Sequence, residues 1–172
     1  MSARSARFAP SQVKTIEVLL DGDMRYEATT GSGHIVLADN RDGNMAPRPT
    51  ELVLVGLATC TAMDVISICR KKRQRVERYR VHLRAEQRAQ YPQVFTRIDL
   101  MHDLEGHALS ETAIRRSVEL SATKYCPVSA MLSAGATEIH HAYRISDPRD
   151  PATLREAEVI VTGPNQPPDV VV

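Results

Sequence analysis

Residues Pro49 to Arg73, PTELVLVGLATCTAMDVISICRKKR, constrain the fold more than any other stretch of the chain. A proline just before or at the first turn of a helix costs nothing, because its missing N–H would have no helical partner, and Thr50 and Glu51 suit the positive helix end. The basic run Arg70, Lys71, Lys72, Arg73 and Arg75 suits the opposite end, where cations complement the carbonyl dipole, and reads as a solvated terminus. Between them lies a helix with apolar residues on almost every side, which asks for partners on more than one face. Thr59, Thr61, Asp64 and Ser67 interrupt the apolar run from Leu52 to Cys69. An aspartate at the centre of a bilayer would cost about 3 kcal/mol, so the helix is expected to belong to a protein core and not to a membrane.

What surrounds that helix must be aliphatic, because the chain has two Phe and no Trp. A core of this kind in a chain of 172 residues is helped by dimerisation, since small globules bury a smaller share of their surface; a homodimer is expected. With 22 basic and 21 acidic side chains the formal charge is +1, which gives no electrostatic reason for a nucleic-acid partner or an anionic membrane. The three cysteines, Cys60, Cys69 and Cys126, are too few and too odd in number for a secreted disulfide framework, so a reducing cytoplasm is the expected setting. The first residues, MSARSARFAPSQ, lack the apolar stretch of a secretory signal, and residues 1–12 read as a mobile tail.

Short, partly β-branched runs at Val13–Leu20, Met24–Thr29 and His34–Ala38, separated by Asp-Gly and Gly-Ser-Gly, predict a small antiparallel meander, followed by a turn-rich loop from Asp39 to Pro49. After the long helix, Val76–Gln87 and Gln93–Gly106 alternate as two strands of a hairpin with Tyr91-Pro92 at its turn. Ser110 and Glu111 open a helix to about Lys124, Pro127 starts a shorter one to about Ala134, and EIHHAYRI supplies a closing strand. Segregated strands and helices make an α+β domain over residues 13–146. Residues 147–172 are rich in proline and read as a C-terminal extension with at most one weak strand, Glu158 to Thr162.

Cys60 and Cys69 lie about 180° apart around a helix axis and cannot pair. Cys69 reads as a small buried hydrophobe. Cys126, in KYCPVSAML, sits where a helix begins; exposed peptide N–H groups, with Lys124 nearby, should lower its pKa below the free value of about 8.5. Composition and spacing leave open whether it is reactive, and nothing in them ties it to Cys60.

Pro49–Val65, PTELVLVGLATCTAMDV, together with KYCPV at Lys124–Val128, resembles the two signatures of the OsmC/Ohr family, the osmotically induced and organic hydroperoxide resistance proteins, and within it the branch of YhfA-like chains. The likeness runs from about Val13 to Ile145. It implies an intertwined α+β homodimer with antiparallel sheets around long central helices, which would cover a helix apolar all round. It also implies that Cys60 and Cys126 approach each other at the subunit interface. Cys60 would be the peroxidatic thiolate that attacks an organic hydroperoxide, Cys126 would resolve the sulfenic acid, and a dithiol reductant would reset the pair, with no metal or cofactor. Family peroxidases hold the thiolate with an arginine paired to a glutamate ten residues before the first cysteine. That position is Thr50 here, with Glu51 beside it on the far side of the helix from Cys60, while Arg25 and Arg41 lie in the region from which the arginine would come. Asp64, one turn after Cys60, would as a carboxylate oppose a thiolate there.

The six histidines, His34, His82, His102, His107, His140 and His141, form no i, i+4 pair and accompany no Cys-x-x-Cys, so no zinc site is expected from them. His140 and His141, adjacent on a strand, should face opposite ways. TTGSGH reads as a turn, since no helix follows it. The alternative to a peroxidase is a family member that binds or senses an apolar ligand while its sulfurs stay idle.

Overall fold

The computed structural model describes residues 13–164, so the expected N-terminal tail and Pro167 and Pro168 lie outside the described residues. The chain divides into two units, with the boundary between Leu52 and Val53.

The first unit is the meander foreseen from its turns: β1 (Ile16–Leu20), β2 (Tyr26–Thr30) and β3 (Ile35–Ala38), antiparallel in that order. Gly33 closes the second hairpin at φ +84°, a backbone conformation that L side chains rarely adopt. In the following loop the Asp39 carboxylate accepts the N–H groups of Asn40 and Met45. The loop ends in one half of a capping box: Arg48 donates its backbone N–H to Glu51, whose carboxylate also pairs with the Arg48 guanidinium at 2.7 Å. These bonds hold the Glu51 carboxyl below its usual range. Apolar side chains on both faces of the sheet remain exposed, among them Ile16, Val18, Leu19, Leu20 and Ile35.

The long helix α1 runs Pro49–Lys71, and by length and composition alone it could cross a membrane. Its C-terminus is a Schellman motif, with Gln74 N–H bonded to Cys69 O, Arg73 N–H to Arg70 O, and Arg73 itself left-handed at φ 57°. In the second unit one stripe of α1, Leu57, Thr61, Val65 and Cys69, is buried at the i, i+4 spacing, while Val53, Val55 and Met63 are exposed.

The second unit contains a four-stranded sheet ordered β4 (Arg78–Gln87), β5 (Phe95–Glu105), β6 (Glu138–Asp147) and β7 (Asp150–Thr162). Two of its pairings are antiparallel as expected, but β5 and β6 run parallel. A parallel pair needs a crossover, and α2 (Glu111–Leu120), a π-helical turn (Ser121–Tyr125) and α3 (Pro127–Ser133) supply it. Two expectations are corrected here. The helix opened by Ser110 does not run regularly to Lys124 but changes to π geometry at Ser121. The segment after Asp147 is not an appendage up to Thr162: β7 is a full edge strand that begins at Asp150 and pairs with β6, so β6 does not close the sheet. Prolines made the segment read as non-strand, yet an edge strand tolerates them at its start.

Alternation along β5 and β6 turns Ile98, Leu100, His102, Leu104, Ile139, His141, Tyr143 and Ile145 inward. All but the two histidines join two apolar clusters, Leu104, Tyr143 and Ile145 with Val65 and Cys69, and Ile98, Leu100 and Ile139 with Leu57 and Cys126. Between the clusters runs a buried polar band. On α1 it is Thr61, between Leu57 and Val65; on the sheet it is His102 and His141, His141 facing inward and its neighbour His140 not.

Candidate functional site

Cys60 is half-buried on α1 and packs against the cluster that contains Cys126. The π-helical turn before Cys126 places that residue in extended backbone, with its N–H bonded to Ser121 O, and Pro127 fixes the first position of α3. Cys126 is therefore the N-cap of α3, and its Sγ accepts the Ser129 N–H at 3.3 Å. This local geometry brings the two sulfurs, distant in sequence, together: Cys60 Sγ, Cys126 Sγ and an oxygen of the Asp64 carboxylate all lie within 4.8 Å of one another. Both thiols are free, and a disulfide between them would draw the sulfurs from their separation within 4.8 Å to about 2.05 Å.

The electrostatics of Cys126 differ from the sequence expectation. The Ser129 and Val128 N–H groups do act to lower its pKa, as a helix N-terminus should. Burial outweighs them and, with the neighbouring Cys60 thiol adding to it, pushes the Cys126 thiol up to about 12. Lys124, expected to add positive charge, carries its ammonium over the Tyr125 ring, 5.6 Å from the centroid.

Cys69 stays in the other cluster and does not join the pair; burial raises its pKa, against a smaller opposing effect from the Ser117 hydroxyl. Glu51 is held by Arg48, and Arg25 donates to the Asp21 carboxylate at 2.5 Å, so each has a local partner inside the first unit. Sequence reasoning missed Ser121 and Thr61. Ser121 Oγ donates to Asp64 Oδ2 at 3.1 Å and lies 2.9 Å from Thr61 Oγ1. Since the Ser121 proton goes to Asp64, Thr61 donates to Ser121. Both hydroxyl residues are fully buried, and together they fix the carboxylate beside the sulfurs. Only the i, i+4 spacing of Cys60 and Asp64 was visible beforehand, because the π turn that brings Ser121 to Asp64 has no sequence signature.

Comparison with known proteins identifies the family to which the chain belongs. The sequence profile of the OsmC-like protein family matches residues 41–142, which include both cysteines. Protein YhfA of Escherichia coli K12 is 42% identical over 135 residues, covering 78% of this chain and 96% of that protein. Among solved structures, a hypothetical protein from Aquifex aeolicus superposes with a TM-score of 0.70 at 28% identity, covering 80% of this chain and 98% of the other. An organic hydroperoxide resistance protein from Legionella pneumophila superposes with a TM-score of 0.54 at 14% identity, covering 81% and 98%, a likeness of fold alone. By profile, by identity over most of its length and by fold, the chain belongs to the OsmC family.

Proposed function

We propose that the chain reduces organic hydroperoxides through Cys60 and Cys126, working as a homodimer in a reducing cytoplasm. The observation that carries this reading is the approach of the two sulfurs to within 4.8 Å. Accessibility supports this division of roles, because Cys60 is partly exposed whereas Cys126 is 2% exposed, and the sulfur that meets an external peroxide must be the reachable one. The Cys60 thiolate attacks the terminal oxygen of RO–OH; the O–O bond breaks, an S–O bond forms, and RO⁻ takes a proton to leave as the alcohol. Cys126 then attacks the sulfenic sulfur, forming S–S and releasing water, and a dithiol reductant returns two electrons and two protons. The name of the Legionella neighbour, an organic hydroperoxide resistance protein, supports the substrate class. The exposed apolar faces of α1 and of the β1–β3 sheet support the dimer.

The test is peroxide-dependent oxidation of a dithiol by chelator-treated protein, followed with an alkyl hydroperoxide. Wild type should turn over, Cys60→Ser should lose turnover, and Cys126→Ser should accumulate a Cys60 sulfenic acid that can be trapped. Unchanged peroxide consumption in Cys60→Ser would overturn the assignment. The local pairs of Glu51 and Arg25 favour a second reading, a dimer that binds an apolar ligand with idle thiols. Slow, ordinary alkylation of Cys60 near neutral pH would select that reading.

A further inference from the structure

The Asp64 carboxylate has no part in thiol–disulfide exchange, and a thiolate at either sulfur would sit against it as a like charge. Nevertheless the fold holds it there with a fully buried pair of hydroxyls, Thr61 donating to Ser121 and Ser121 to Asp64. Three groups that repel one another when ionised, converging in a partly enclosed place, are stabilised together by one cation. We propose that Cys60 Sγ, Cys126 Sγ and the Asp64 carboxylate form a binding site for a divalent transition-metal ion of the zinc class, one per chain.

The donor set selects the metal. Two thiolates are soft ligands that favour zinc or cobalt over magnesium or calcium, and a carboxylate completes three protein ligands, leaving a fourth tetrahedral position for water. Tetrahedral zinc with Zn–S of about 2.3 Å separates its sulfurs by roughly 3.8 Å. The two sulfurs, within 4.8 Å of each other, need a contraction of at most about 1 Å to reach that separation. An outer layer is already built: Ser121 orients the carboxylate by engaging one of its oxygens, and the Ser129 N–H points at the Cys126 sulfur. On binding, two S–H bonds break, two metal–sulfur bonds form and two protons pass to solvent, with no change of oxidation state. The ion and the disulfide exclude each other, because the disulfide consumes both sulfur ligands.

The experiment adds cobalt(II) to the reduced, chelator-stripped full chain under anaerobic conditions, without peroxide. Expected are thiolate-to-cobalt charge-transfer absorption in the near ultraviolet and strong visible bands of a four-coordinate ion, saturating at one cobalt per chain and displaced by zinc. Cys60→Ser and Cys126→Ser should each lose about half of the charge-transfer intensity. Asp64→Asn should keep both thiolates but bind about tenfold or more weakly, and Ser121→Ala should weaken binding by about tenfold through the carboxylate it orients. No charge-transfer band in the wild type, or unchanged affinity in Asp64→Asn, would overturn the site. If the cysteine variants fail to fold, Asp64→Asn still decides. The peroxide assay uses metal-free protein and this one uses no peroxide, so failure of either reading leaves the other readout intact.

Discussion

Two imidazoles dominate the polar interior. His102 accepts or donates a 2.6 Å bond with the Tyr79 hydroxyl and stacks on its ring, and His141 lies 3.3 Å from Thr162 Oγ1, while His102 Nε2 and His141 Nδ1 have no partner among the described residues. Burial first, then the charge of His141, holds His102 at about 3; burial, then the charge of His140, holds His141 at about 4. Both values lie below the ordinary 6.5, so between that value and the folded one the unfolded chain binds more protons. Stability should therefore fall as pH drops from 6.5 toward 4, by up to about 1.4 kcal/mol per pH unit for each ring. His140 works the other way, because bonds to Glu158 and Glu138 raise it despite its own desolvation. Urea midpoints at pH 7, 6 and 5 should show the decline, and His141→Leu should remove about one proton from its slope; equal slopes would contradict the account. At this scale the family resemblance paired Cys60 with Cys126, which the fold brings together, but the sequence misjudged the surroundings of Cys126. A helix start is visible in KYCPV, whereas the burial that outweighs it comes from Leu57, Ile98 and Ile139, residues remote in the chain.

Elements were read well wherever period and punctuation agreed. The meander, α1, the β4–β5 hairpin and the Ser110 cap, which bonds the Ala113 N–H, all stand where alternation or capping placed them. β7 was hidden because local proline outweighed the long-range pairing with β6 that makes it a strand. The parallel β5–β6 pairing was equally hidden, since alternation reports which face is buried but not which way a neighbour runs. The end of α1 offers a prediction. Arg73 occupies the left-handed position of a Schellman motif, where glycine is usual, and its Cβ is strained there. Arg73→Gly should stabilise the protein by about 0.5–1 kcal/mol in chemical denaturation, and Arg73→Val should destabilise it by a similar amount or more.

For the whole molecule, a single chain leaves much apolar surface uncovered: Val55 and Met63 on α1 are 53% and 69% exposed, and β1 carries Val18, Leu19 and Leu20 in the open. Sedimentation equilibrium should give about twice the chain mass of 19.1 kDa, and Met63→Glu should shift the protein toward monomer. A monomeric wild type would contradict the dimer. The sequence made a partner expected, through a helix with apolar residues all round, but no local pattern says which face that partner takes. One further consequence follows from the sulfur that starts α3. This helix has only seven residues, and the cap at its first turn is the Cys126 side chain. Drawing that atom into a covalent link with Cys60 competes with its hold on the Ser129 amide, so oxidation should fray the beginning of α3. Faster hydrogen exchange at Ser129 after oxidation, with α2 unaffected, would let the backbone report the oxidation state of the thiols.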